Sequence, residues 1–334
     1  MKLSILDQSP ISSNQTAKEA LDESLKLAQA GEALGYTRYW VTEHHDLPGL
    51  ASSVPEVILS YIGANTKTIR IGSGAVLLPH YKPFKVAEIY NTLATLFPNR
   101  IDVGIGRASG GSAEVTNALS DNFLQNVYKM PSLVKDLLHF LDDDFPAEQE
   151  YSKISATPIP EVSPLPWLLG TSKKSALLAA ENGIAYAFGQ FMSNNDGISI
   201  IQDYLDAFTP RKQGQTAQVI ITVSVICAET TEKANEISLS ALIWELQKAK
   251  GEGGRGIPSI KEAMQYKLDD REKDTFDKMK KNIIIGNPQV VKQKLIELQA
   301  TFKADEIMLS TITYSAEYRR NSYKLIANEL LMED

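Results

Sequence analysis

The chain has 334 residues, 43% hydrophobic and 22% charged, the proportions of a globular protein with a real core rather than a disordered or fibrous one. Its 34 basic and 41 acidic residues leave a net charge of −7, which argues against a nucleic-acid phosphate backbone as partner. No apolar run approaches the ~20 residues that span a bilayer, so no membrane segment is expected.

Met1-Lys2-Leu3-Ser4-Ile5-Leu6-Asp7 turns polar too soon for a signal peptide. The single Cys227 excludes an internal disulfide and fits a reducing cytoplasm, the expected location. It lies in an apolar run and reads as a buried structural thiol.

In chain order, the first strand-like run is 3–6. A capping box, Thr16-Ala17-Lys18-Glu19, then opens a helix that Gly35 is placed to end. Further apolar, β-branched runs lie at 38–42, 69–78, 101–105, 167–170, 185–188, 219–228 and 306–311, which makes eight. Helical periods fill the gaps at 55–64, 86–96, 133–141, 175–182, 195–207, 232–250, 289–300 and 317–331. Several strand runs lack polar alternation, as parallel strands covered on both faces do. Alternating strands and helices imply a parallel sheet, which most simply closes into a TIM (β/α)8 barrel forming one domain over 1–334; a doubly wound open sheet is the competing architecture.

Two stretches break the rhythm. Residues 145–166, rich in Pro, Ser and Glu, read as an extended connection. Residues 251–286 begin Gly-Glu-Gly-Gly-Arg-Gly-Ile-Pro and continue highly charged, as an insertion near the seventh strand and helix. A lid over the barrel mouth and a disordered excursion both fit that composition.

A barrel enzyme places its chemistry at the C-terminal ends of the strands. Those ends carry Asp7-Gln8-Ser9, Glu43-His44-His45, Gly72-Ser73-Gly74-Ala75, Gly104-Ile105-Gly106-Arg107 and Gly170-Thr171-Ser172. Neighbouring strand residues point to opposite faces, so only one of His44 and His45 can face the mouth. Gly170-Thr171-Ser172-Lys173-Lys174-Ser175 lies between a strand and a helix, where free N–H groups and the helix dipole make a phosphate cradle. The plainer reading is that Thr171 or Ser172 caps the helix. Arg107 adds a planar cation suited to phosphate. Gly104-Ile105-Gly106-Arg107-Ala108-Ser109 misses the dinucleotide fingerprint, because Ser109 stands where its third glycine belongs. There is no Walker A sequence, no nucleophile elbow and no Cys/His spacing for a metal, so none is expected. His139, on a helical run, reads as structural.

Four segments together resemble the bacterial luciferase-like flavin monooxygenases, over nearly the whole chain. They are Tyr39-Trp40-Val41-Thr42-Glu43-His44-His45, Ile71-Gly72-Ser73-Gly74-Ala75-Val76-Leu77-Leu78-Pro79, Asn99-Arg100-Ile101-Asp102-Val103-Gly104-Ile105-Gly106-Arg107 and Trp167-Leu168-Leu169-Gly170-Thr171-Ser172. The resemblance implies FMN across the barrel mouth. Arg107 would hold its phosphate with Thr171, Ser172 and Ser175, and Gly170 and Glu43 join the cofactor set. Gly74-Ala75 matches the site of a non-proline cis peptide beneath the flavin ring, and His44 the histidine that assists flavin–oxygen chemistry.

The chain resembles the single-gene oxidoreductases of that group more than its light-emitting members. Gly106 stands where luciferases carry a reactive cysteine, and nothing specifies an aldehyde pocket. The expected function is an FMN-dependent monooxygenase that uses reduced FMN and oxygen on a small organic substrate. A separate flavin reductase would supply the reduced FMN, and a homodimer is implied by the resemblance alone. A deazaflavin-dependent reductase of the same fold and a non-catalytic FMN-binding protein are the alternatives.

Overall fold

Eight parallel strands close on themselves in the computed structural model, which describes residues 1–332. The strands are β1 (Lys2–Asp7), β2 (Arg38–Val41), β3 (Arg70–Ser73), β4 (Val76–Leu77), β5 (Ile101–Gly106), β6 (Leu165–Gly170), β7 (Ala185–Gly189), β8 (Val219–Cys227), β9 (Ile283–Gly286) and β10 (Glu306–Ser310). The barrel runs β1-β2-β3-β5-β6-β7-β8-β10, and β10 pairs with both β8 and β1 to close it. This is the TIM barrel, and the open sheet is excluded.

The run 69–78 differs from expectation. It is two short strands, β3 and β4, which pair in turn along β5 on either side of a cis peptide at Gly74–Ala75. The ninth run, β9, was absent from the expected eight. It pairs outside the closed barrel with the projecting end of β8, Ser224 to Cys227.

Strand parity sorts the side chains. On β2, Tyr39 and Val41 pack outward into the main core under the helices, while Trp40 points into the barrel. There it meets Trp167 edge-on, with ring centroids 5.5 Å apart, among Leu6, Ile220 and Met308. The neighbouring strand leaves room for the Trp40 ring: a β-carbon at Gly72 of β3 would come 2.9 Å from Trp40 Nε1. Beneath them Arg38 donates to Asp102 and to Glu306, each at 2.8 Å, and Arg70 donates to Asp102 at 2.6 Å. Burying these charges is tolerable because each has several partners; Trp40 Nε1 also donates to Asp102 at 2.9 Å.

Local signals set the helix ends. Thr16 and Glu19 form the expected capping box, and Gly35, at φ +81°, follows the helix Ala17–Ala33. Two short helices that periodicity did not reveal, Ala113–Leu119 and Phe123–Tyr128, lead from β5 into the helix Met130–Asp142.

The segment 251–286 is folded. Capping boxes at Ser259 and Asp269 open the helices Ile260–Gln265 and Asp270–Lys281, and the chain then enters β9. The charged run is the solvated face of an amphipathic helix whose Phe276 and Met279 pack with Ile243 and Leu246 of the helix Thr231–Ala249. No helix among the described residues is long and apolar enough to cross a membrane.

Candidate active site

Because the barrel strands are parallel, their C-terminal ends meet at one mouth. Gln8, His44, Ala75, Arg107, Thr171, Gln190 and Ser310 follow or close those ends, and Ser224 of β8 lies level with Ser310. Asp7, expected there, faces the other way. Its carboxylate accepts from Arg319 at 3.0 Å and from the Tyr39 hydroxyl, because the last residue of β1 has outward parity.

The triplet after β2 also splits. Glu43 is buried, and its carboxylate accepts from the Leu77 N–H at 2.9 Å and the Tyr81 hydroxyl at 2.7 Å, with His45 Nε2 at 2.9 Å. His44, between them, shares none of these contacts. Its side chain is half-buried, and its N–H donates to Ser52 at 2.9 Å. Burial, helped by the charges of Lys248 and His45, pushes the His44 pKa down to about 4. The ordinary imidazole value is near 6.5, so this shift leaves His44 a neutral imidazole at pH 7.

Beyond β3 lies the cis Gly74–Ala75 bond. Opposite it, a β-carbon at Gly106 would come 2.9 Å from Ala75 Cβ. Gly106 therefore packs bare backbone against Ala75 where luciferases carry a cysteine.

At β6 the capping reading holds in full. Ser172 is the N-cap of the helix Lys173–Glu181, and its hydroxyl accepts from the Ser175 N–H. Ser175 Oγ takes the Ser172 N–H, donates to the Ser172 carbonyl at 2.7 Å and lies 3.0 Å from the Tyr186 hydroxyl. Gly170 is required here: a β-carbon on it would come 2.2 Å from Ser175 Oγ. Capping does not exclude anion binding, since the first-turn N–H groups of Lys173 and Lys174 lie outside the capping box. Thr171 is half-buried, and its carbonyl accepts from Asn195 at 2.7 Å.

Arg107 is exposed and, among the described residues, has no hydrogen bond or ion pair. It shares a cavity of about 220 Å³ with Lys174 and Ser175, walled by Met130, Leu169 and Leu178. The Arg107 guanidinium, Lys174 and the Ser175 hydroxyl line this cavity together with Glu181, and these three donors are of the kind that fit a phosphate group such as that of FMN.

A second cavity, of about 300 Å³, lies where Ser224, Ser310 and Gln8 at the mouth face Lys248 of the helix Thr231–Ala249 and Asn282 of the folded segment. Sequence reasoning missed Lys248, Asn282 and Tyr81: none lies at a strand end, and only the packing of distant elements brings them in. Cys227 is buried as expected, and burial lifts its thiol to about 12. His139 Nδ1 lies 2.7 Å from Asp144 on the outer surface. Among the described residues no cluster of three or more His, Cys, Asp or Glu side chains could hold a metal ion.

The family model for luciferase-like monooxygenases matches residues 1–304. The N-acetyl-S-alkylcysteine monooxygenase of Bacillus subtilis (strain 168) is 35% identical, over 99% of this chain and 98% of its own. Among solved structures, apo-MsnO8 superposes with a TM-score of 0.89 at 30% identity, covering 99% and 98% of the two chains. Two more distant structures share the fold alone. The oxygenating constituent of 3,6-diketocamphane monooxygenase from Pseudomonas putida, in complex with FMN, has a TM-score of 0.72 at 18% identity over 99% and 97%. An F420-dependent secondary alcohol dehydrogenase has a TM-score of 0.65 at 15% identity over 100% and 99%.

Proposed function

Since the chain belongs to the luciferase-like monooxygenase family, we propose that it is an FMN-dependent oxygenase that inserts one oxygen atom of O2 into a small organic substrate. The observation that carries this reading is the unpaired Arg107 sharing a cavity with Lys174 and Ser175 of the first turn of the helix Lys173–Glu181. Reduced FMN, when bound, supplies two electrons, so that the second oxygen atom leaves as water.

The chain's residues have defined tasks in this reading. Arg107, the helix N-terminus, Thr171 and Ser172 hold the phosphate, and Gly170 and Ser175 hold that turn in shape. Gly74, Ala75 and Gly106 offer backbone without bulk for close approach of a flat ring. Glu43 acts through others: its contacts to Leu77, Tyr81 and His45 fix the strand end that carries His44. His44, neutral at pH 7, can accept a proton from substrate or donate a hydrogen bond. The segment 251–286 limits water at the mouth. Reduced FMN comes from a separate reductase, in keeping with the missing nicotinamide fingerprint. A homodimer and a cytoplasmic location belong to the same reading.

Oxygen uptake with supplied reduced FMN, measured with and without candidate substrates, tests it. A thioether such as an N-acetyl-S-alkylcysteine is the first candidate, after the activity for which the Bacillus subtilis relative is named. Uptake that no substrate accelerates leaves a flavin-binding protein without turnover. Because F420 also carries a phosphate, titrating the protein with FMN and then F420, followed by absorbance, decides between the two cofactors. Preference for F420 would overturn the oxygenase reading.

A further inference from the structure

The cavity of about 300 Å³ has one enclosed cation and a mixed wall. Ser224, Ser310 and Gln8 supply neutral polar groups from the barrel, Asn282 supplies an amide from across the gap, and Met279 and Ile283 make an apolar roof. Its size is at the low end for small-molecule sites, with room for a short alkyl chain and a head group.

Lys248 is held in place. Its ammonium lies 3.9 Å from the ring centroid of Trp244, which is itself fully buried. Its ion pair, to Glu245 at 2.7 Å, runs along the same helix, and the two side chains are 24% and 43% exposed. The acid is thus the better solvated of the pair, and the enclosed charge is the positive one. An ammonium has three donors, and Glu245 engages one. Glu245 is the only carboxylate lining this cavity. A neutral guest would desolvate Lys248 without compensation and a cationic guest would meet like charge, whereas a carboxylate gains a charge-assisted hydrogen bond. The His44 pKa is lowered first by burial and then by the charge of Lys248, in keeping with Lys248 lying within electrostatic reach of the residues after β2.

We propose that this cavity is the substrate subsite and takes a small organic carboxylate with an apolar tail, its charge met by Lys248 and its tail lying along Met279 and Ile283. The inference rests on the oxygenase reading for what then happens to the guest, but not for binding itself.

The test is a ligand-observed NMR titration with hexanoate and hexanamide, which share a chain and differ in charge, on protein with and without added FMN. Wild type should bind hexanoate about 10-fold or more tighter than hexanamide, the scale of one charge-assisted hydrogen bond. Lys248→Met should bring the two within about twofold, and Lys248→Arg should keep the preference, since charge is what is read. Asn282→Asp, at an exposed position, adds a carboxylate to the wall and should weaken hexanoate alone, which keeps the test decisive if Lys248→Met fails to fold. Equal binding of the two probes by wild type overturns the proposal, as does a preference unchanged in both Lys248→Met and Asn282→Asp. FMN absorbance followed in parallel separates the two readings. A hexanoate preference without FMN binding sinks only the flavin reading; FMN binding without a preference sinks only this one.

Discussion

Glu43 and His45 pair at 2.9 Å across His44, which lies between them and takes no part. Beyond the end of β2 this pairing divides the triplet into a clamp of Glu43 and His45 and a His44 side chain outside it. The clamp also holds the Leu77 N–H and the Tyr81 hydroxyl, so its loss leaves buried donors unpaired. Glu43→Ala should therefore cost about 2–4 kcal/mol of stability and Glu43→Gln, which keeps an acceptor, about 1–2 kcal/mol. Urea unfolding followed by far-UV circular dichroism measures both. A Glu43→Ala protein as stable as wild type would mean that the carboxylate clamps nothing.

Arg107 has no protein partner to lose, so its removal should be silent in the empty protein and visible only on ligand binding. Arg107→Ala should weaken FMN by about 1.5–3 kcal/mol, the range of a charged hydrogen bond, and leave the melting temperature within about 1 °C. Riboflavin, which lacks the phosphate, should bind the variant and wild type equally. Flavin fluorescence titration reads both affinities. Equal weakening of FMN and riboflavin would place the guanidinium somewhere other than the phosphate.

The barrel was legible because its strands are buried on both faces and so read as apolar runs. All eight lie where composition placed them. The exceptions have physical causes. The run 69–78 is apolar at Ile69, Ile71 and from Ala75 to Leu78, and the break between Ser73 and Val76 falls in its small-residue stretch Gly72-Ser73-Gly74-Ala75, which apolar content alone does not divide. β9 carries a signal, Ile283-Ile284-Ile285, but it sits behind a charged helix and was absorbed into the insertion. The strand-end residues of the candidate site were legible because barrel geometry makes strand ends converge. Asp7 was misplaced because convergence does not fix parity. Lys248 and Asn282 were invisible because no spacing relates a helix end to a segment more than 30 residues away.

The folded segment 251–286 still has a hinge-like start. Gly251 and Gly256 both have positive φ, and β-carbons at Gly251 and Gly254 would meet nothing within 4 Å. If it closes on substrate, trypsin should cut first at Arg255 or Lys250, and FMN with hexanoate should slow that cut at least ~5-fold by lowering the open population. Mass spectrometry of the first fragments reads site and rate. Equal rates with and without ligands would make the segment a fixed wall rather than a lid.

His44 links pH to both stability and turnover. Its pKa is about 4 in the folded protein against an ordinary 6.5, so between those values the unfolded chain binds the extra proton and the folded one does not. Stability thus rises with pH across this window: the contribution is fully present above 6.5 and is lost as pH falls toward 4. His44→Gln removes this dependence, and its stability should fall by ~2 kcal/mol less than that of wild type between pH 6.5 and 4. In turnover, His44→Ala should keep FMN affinity within a few-fold while slowing substrate oxidation ~100-fold, the usual worth of a positioned acid–base group. Because the imidazole is already neutral, wild-type activity should show no loss attributable to this group from pH 8 down to about 5. His45→Ala, by contrast, should act through Glu43 and lower stability more than rate. If His45→Ala abolished turnover while His44→Ala left it intact, the inward-facing histidine would be His45.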